Sequence, residues 1–132
     1  MTGRERIERA LKHRVTDRIP IDLGASESTG IHVAAYSRFK DFLGLSGGRS
    51  QVYDLTQMIV KVEPQVLDLV GADAVPLLIE PRVWKRWRLP DGTPCEVPAR
   101  ANIRQGPQGA ELLTDDGAVV AVWPDGSYYF DT

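Results

Sequence analysis

Apolar residues recur at helical spacing near the start of the chain, at Ile7, Ala10 and Leu11, with Arg4, Glu5, Glu8, Arg9 and Lys12 between and around them. One buried helical face produces that spacing, and it predicts a helix over residues 3–13. Thr2 and Glu5 precede it at the interval of a capping box, in which each side chain accepts from the other residue's backbone N–H. Residues 18–23, Arg-Ile-Pro-Ile-Asp-Leu, predict a short buried strand, with Pro20 tolerated near its start or on an unpaired side. Ile31, Ala34, Ala35, Phe39, Phe42 and Leu43 predict a second helix, beginning near Thr29 or Gly30 and closed by Gly44. Residues 46–50 predict a flexible loop, and residues 52–59 fit strand and helix equally. Glu63-Pro64 opens a third helix, because proline in the first turn forfeits no hydrogen bond. Leu67 and Val70 face inward there and Gly71 ends it. Residues 74–79 read as a second buried strand.

The texture changes after Glu80. Asp91-Gly92, Asp116-Gly117 and Asp125-Gly126 are turn pairs among short β-prone runs at 83–89, 93–97, 110–114, 118–123 and 127–130. That alternation predicts an antiparallel meander. The preceding order of helix, strand, helix, helix, strand suggests parallel β/α construction. The expected fold class is therefore α/β, divided into residues 1–80 and 81–132.

A chain of 132 residues has room for one domain, and 42% hydrophobic with 26% charged residues is an ordinary globular balance. The formal net charge of -2 lacks the basic excess of a general polyanion binder, so no nucleic-acid partner is expected. The single cysteine, Cys95, excludes an internal disulfide and a thiolate metal cluster, and fits a reducing compartment. The N-terminal stretch is charged and lacks a signal peptide's apolar region. No apolar run approaches the ~18 residues that would span a bilayer. A cytoplasmic protein without a membrane partner is expected.

Four collinear stretches, TGRERIERALKHRVTDRIPIDLG, GIHVAAY, VYDLTQ and VGADAV, resemble the N-terminal third of the uroporphyrinogen decarboxylase family. The closer similarity is to its branch containing corrinoid-linked methyltransferases. The later WRLPDGT and GSYYFD are similar to a β insertion found in that branch. The resemblance implies the N-terminal portion of a (β/α)8 TIM barrel, a fold of ~250 residues, followed by an antiparallel β-meander insertion. The loops after the carboxyl ends of barrel strands build the active site, so residues 24–29 would be the first such loop. Decarboxylases of the family carry an Arg-Gln-Ala-Gly-Arg run there to grip substrate carboxylates. This chain has Asp22 and Glu27 instead, which repel a polycarboxylate tetrapyrrole. The implied activity is then methyl transfer involving a corrinoid or a methylated small molecule.

Several residues carry candidate chemistry. Ser26, Ser28 and Thr29 can bind an anion together with the following helix N-terminus, or cap that helix. Asp22 and Glu27 can form a proton-transfer pair, His32 can orient a ligand at the helix start, and Asp54 with Gln57 can face the same mouth. Arg82, Lys85, Arg86 and Arg88 interleave with Trp84 and Trp87, a pattern read as an amphipathic strand with stacked Arg–Trp contacts. No complete acid/base or metal constellation is present, so the chain itself is expected to be inactive and to hold no cofactor. The resemblance places corrinoid and zinc in a full-length parent, with a small molecule or a corrinoid protein as partner. Two barrel strands without neighbours would also drive self-association or association with the missing barrel portion. The alternatives are a genuine uroporphyrinogen decarboxylase parent and a standalone non-catalytic ligand-binding or assembly module.

Overall fold

The computed structural model describes residues 1–45 and 47–132; Ser46, in the loop expected over 46–50, lies outside the described residues. Helix α1 spans Gly3–Leu11 behind the Thr2–Glu5 capping box, with N–H to oxygen distances of 2.8 and 3.2 Å. It is shorter than the apolar spacing predicts, because the chain turns at His13, which takes φ 52°. Its buried residue is Arg6, while Leu11 stays 77% exposed. The helix is therefore docked by charge. The Arg6 guanidinium donates to both Asp17 oxygens, at 2.7 and 2.9 Å, and to Asp73. Asp73 also accepts from Arg18 at 2.7 and 3.0 Å and from the Ile21 N–H at 2.9 Å.

The expected fold class needs correction. Residues 18–23 and 74–79 form no strands and do not pair; the nearest backbone bond runs from the Asp73 N–H, just before the second segment, to the Ile21 carbonyl at 2.8 Å. Val75, Leu77 and Ile79, read as buried, point into solvent, the last two with fully exposed side chains. Apolar alternation makes a stable sheet only where further strands or a packed layer meet it, and among the described residues neither does. The described residues instead form three short helices and seven short strands, and every named strand pair is antiparallel. The protein is mostly β, without the helix–strand alternation of a (β/α)8 barrel portion.

Helix α2, Val33–Phe42, begins later than expected, after a single 3-10 turn at Glu27–Thr29. Its buried face is Val33, Ala34, Tyr36 and Lys40, leaving Ala35 exposed and Phe42 84% exposed. The ambiguous stretch resolves into β1, Val52–Asp54, paired with β2, Ile59–Val60. Backbone bonds from Val60 to Ile31 and from Val33 to Met58, at 3.1 and 2.9 Å, tie this hairpin to the start of α2. Helix α3, Pro64–Val70, opens on Glu63-Pro64 and ends at Gly71, which adopts φ 67°. The Glu63 carboxylate accepts from Tyr36 at 2.9 Å, Lys40 at 2.8 Å and the Arg49 N–H at 3.0 Å.

Strands β3, Trp84–Arg88, and β4, Pro94–Pro98, pair across the Asp91-Gly92 turn. Strands β5, Asn102–Gly106, β6, Gly109–Leu113, and β7, Val119–Pro124, form a separate three-stranded sheet. The expected meander is thus two sheets, joined to the rest by a parallel bridge between Gln51 and Glu96, by the Phe130 N–H to the Thr56 carbonyl at 3.1 Å and by core packing. The predicted strand at 127–130 is absent; Asp131 bridges Val122 instead. Trp87 lies against Trp123, with centroids 6.1 Å apart, in place of the stacked arginine expected, and Trp123 meets Phe130 edge-on at 5.2 Å. The core is one cluster drawing Val33, Tyr36, Met58 and Val66 from one side of Glu80 and Val97, Ala121 and Trp123 from the other.

Glu63 generates a stability prediction. Partial burial pushes its carboxyl pKa up, but Lys40, Tyr36 and the Arg49 N–H outweigh this and hold it below the ordinary value. A carboxyl lowered by folding stabilises the fold fully above its unfolded pKa, and the gain is lost as pH falls through the folded value. Glu63→Gln leaves the Lys40 ammonium buried without its counter-charge and should cost about 3 kcal/mol near neutral pH. The difference from wild type should shrink on acidification toward about pH 3. Urea unfolding of both proteins across that range checks this; equal midpoints at neutral pH would remove Glu63 as an anchor.

Candidate functional site

The Asp54 carboxylate shapes the turn between β1 and β2. Its Oδ1 accepts from the Thr56 N–H at 2.9 Å, the Thr56 hydroxyl at 2.7 Å and the Gln57 N–H at 3.1 Å. Its Oδ2 accepts from the Gln57 amide at 3.1 Å. Asp side chains that bond backbone two residues on imitate a turn and fix it locally. The turn forms one wall of an open cleft of about 790 Å³, lined also by Glu27, Tyr53, Arg100, Asn102 and Thr114. Glu27 enters from the 3-10 turn, so two carboxylates face a wall built by β5 and the end of β6.

Tyr53 is the unusual member. Its hydroxyl is buried and has no hydrogen-bond partner among the described residues. Burial, with smaller contributions from the Glu27 and Asp54 carboxylates, raises its pKa above the ordinary phenol value, so it remains a neutral donor at physiological pH. Buried polar groups are rarely left unpaired, since each costs its lost solvation.

The loop at residues 24–29 spends much of its polarity on itself. Gly24, at φ 82°, donates its N–H to the Thr29 carbonyl at 2.8 Å. The Ser26 N–H reaches the Thr29 hydroxyl at 3.1 Å, the two hydroxyls lie 3.2 Å apart, and Asp22 Oδ1 accepts from the Ala25 N–H at 2.9 Å. Ser28 is exposed, outside the cleft lining. The N–H of Ala34 goes to His32 Nδ1 at 3.2 Å, and that of Val33 to Met58. The Val33 and Ala34 amides at the start of α2 are therefore engaged within the chain.

His32 acts as a clasp. Because Nδ1 accepts, the ring proton sits on Nε2, which donates to the Tyr128 carbonyl at 2.9 Å. The ring also meets Tyr129 edge-on at 5.5 Å. Burial, only partly offset by the Tyr128 carbonyl and Asp91, lowers its pKa. The lowered value stabilises the fold above the unfolded pKa, a gain lost as pH falls through the folded one. A proton titration followed by NMR should find His32 titrating below the ordinary imidazole range; a value within or above that range would contradict the clasp.

The structure thus gathers Glu27, Asp54 and Gln57 at one cleft and leaves Asp22 and His32 outside its lining. Sequence reasoning missed Tyr53, although it lies inside the VYDLTQ stretch, and Asn102, which falls between the β-prone runs at 93–97 and 110–114. Cys95 is buried, and burial pushes its thiol up to about 12, so it is a neutral thiol at physiological pH. Among the described residues, no three His, Cys, Asp or Glu side chains are placed to hold a metal ion. No described helix is long and apolar enough to cross a membrane. Comparison with protein-family models, with curated proteins and with solved structures finds no match.

The two tyrosines make a paired prediction. The Tyr36 hydroxyl donates to Glu63 at 2.9 Å and accepts the Glu63 N–H at 3.0 Å. Tyr36→Phe strands both partners and should cost about 2 kcal/mol. Tyr53→Phe removes an unpaired hydroxyl and should leave stability within about 0.5 kcal/mol of wild type, or raise it. Equal losses on denaturation would mean that the Tyr53 hydroxyl is bonded in solution.

Proposed function

We propose that this chain is the N-terminal part of a cytoplasmic uroporphyrinogen decarboxylase-like protein of the methyltransferase branch. In that protein, methyl transfer would run between a corrinoid or methylated small molecule and an acceptor. The chain's own contribution is a wall of the ligand cleft, without turnover. The observation that carries this reading is the buried, unpartnered Tyr53 hydroxyl at a cleft where Glu27 and Asp54 also converge. Tyr53 and Asp54 belong to VYDLTQ, one of the stretches that carry the family resemblance, and Glu27 lies in the loop between two others, where the chain departs from the decarboxylases. The exposed row of Val75, Leu77 and Ile79 supports further polypeptide, or a second copy, covering it. Corrinoid and zinc chemistry would belong to the rest of the parent.

A standalone, non-catalytic ligand-binding module is the second reading. The single core shared across Glu80 favours it. The reading frame after Thr132 separates the two: a continuation bearing His-x-Cys and a later Cys supports the first.

Titrating the isotope-labelled chain with methylcobalamin tests the wall directly. The amide signals of Glu27, Tyr53, Asp54 and Gln57 should move, Tyr53→Phe should weaken binding several-fold, and no methyl transfer to a thiol should occur. Shifts confined to other segments would overturn the reading. So would turnover by the pure chain that is lost on Asp22→Asn or His32→Ala.

A further inference from the structure

Three Asp-Gly pairs sit at turns after Glu80, at residues 91–92, 116–117 and 125–126, and both members of each are exposed. In sequence the three are alike. Each places a side-chain carboxyl within reach of the next residue's backbone nitrogen, and glycine adds no Cβ to obstruct the approach. The structure separates them. The Gly92 N–H donates to the Leu89 carbonyl at 2.9 Å, and Asp91 Oδ1 accepts from the Thr93 N–H at 2.9 Å. The Gly117 N–H donates to the Thr114 carbonyl at 3.0 Å, and Asp116 Oδ1 accepts from the Thr114 hydroxyl. At the third pair neither group is engaged. The Gly126 N–H and the Asp125 carboxylate take part in no hydrogen bond or ion pair among the described residues. That turn is closed from outside the pair, by the Ser127 N–H on the Pro124 carbonyl at 3.0 Å. The peptide between Asp125 and Gly126 is therefore the central one of a β-turn and can rotate while the closing bond is kept.

We infer that Asp125-Gly126 is a site of spontaneous covalent modification, the aspartyl pair at which this chain isomerises in its folded state. The Gly126 nitrogen attacks Cγ of the protonated Asp125 carboxyl. An N–Cγ bond forms, a C–O bond of the carboxyl breaks, and one water leaves with that oxygen and the amide hydrogen. Water then opens the succinimide. Attack at Cγ restores aspartate. Attack at the main-chain carbonyl breaks its bond to nitrogen and leaves isoaspartate, with the chain running through Cγ and a free α-carboxylate. No oxidant or co-reactant other than water enters. At Asp91 and Asp116 the same approach first breaks a backbone bond and a side-chain bond, so closure there waits on opening of the turn. The modification adds one methylene to the backbone just before Ser127, whose carbonyl accepts from Trp123 Nε1 at 2.9 Å. It therefore displaces the next residue, Tyr128, whose carbonyl His32 holds. The site lies outside the cleft at Tyr53 and does not rest on the proposed methyltransferase relationship.

The test ages the folded chain in mildly acidic buffer beside a second sample held unfolded in urea. Peptide mass spectrometry with electron-transfer fragmentation then distinguishes isoaspartate from aspartate at each pair. In the folded chain isoaspartate at 125 should accumulate at least fivefold faster than at 91 or 116, preceded by a succinimide one water lighter. In urea the three rates should converge to within twofold. Asp125→Glu, whose extra methylene forces a six-membered ring, should abolish modification at 125 and leave the rates at 91 and 116 unchanged. In the aged wild-type chain the His32 ring and Tyr128 signals should shift while those of α1 stay in place. A folded-state rate at 91 or 116 equal to that at 125 would overturn the assignment. So would the same preference for 125 in urea, or isoaspartate at 125 in urea with none in the folded chain.

Discussion

One carboxylate governs how the N-terminal half meets the rest. Glu63 stands at the start of α3 and gathers Tyr36 and Lys40 from α2 with the backbone of Arg49. An ammonium as buried as that of Lys40 is tolerated only beside its counter-charge. The Tyr36 hydroxyl both donates to the carboxylate and accepts the Glu63 N–H, which fixes the rotation of α2 about its axis. With that rotation set, Val33 and Ala34 turn inward and His32 is left at the cap. Its imidazole can then hold Tyr128 from the opposite end of the chain. The β1–β2 hairpin, and with it the cleft, is positioned against this frame.

Asp73 is the corresponding anchor for the N-terminal helix. Its carboxylate joins Arg6, Arg18 and the Ile21 backbone, so α1 is attached mainly through polar groups. The consequence is an unusual distribution of apolar surface. The aliphatic residues that a core would absorb, Ile19, Val75, Leu77 and Ile79, lie outside while charges are sheltered. Segments with few buried apolar contacts open locally at low cost. The stretches flanking Asp73 are therefore the part of the molecule most available to rearrange when something covers them.

A cleft of about 870 Å³ between the loop at residues 47–50 and the β3–β4 hairpin differs in chemistry from the one at Tyr53. The one at Tyr53 gathers the Glu27 and Asp54 carboxylates, and the other gathers the Arg49, Arg86 and Arg88 guanidiniums. Both are built from sheet residues facing a loop that is fastened by its own polar groups, the Asp54 turn in one case and the Glu63–Arg49 contact in the other. Strands place side chains at fixed intervals, and the fastened loops limit the freedom a ligand would have to remove.

Local rules were legible in the sequence because neighbours in the chain enforce them. The Thr2–Glu5 box, Pro64 at a helix start, Gly71 at its end and the Asp-Gly turns all appear where the spacing puts them. Glu27 with Asp54 was legible as chemistry, but their shared cleft depends on β5, whose Asn102–Gly106 run carries only Ile103 as an apolar marker and pairs because β6 lies beside it. The larger failure was residues 18–23 and 74–79. Their alternation states that they can form strands, yet a strand exists only when other strands complete its ladder and another layer covers its face. Likewise the α2 stripe reads as Ile31 to Leu43 in sequence, while the true buried face follows from Glu63, a residue twenty or more positions away that draws Tyr36 and Lys40 inward. The sequence by itself determined caps, turns and the location of charge. Only the tertiary structure decided which apolar surface is core, because that depends on contacts no local pattern contains.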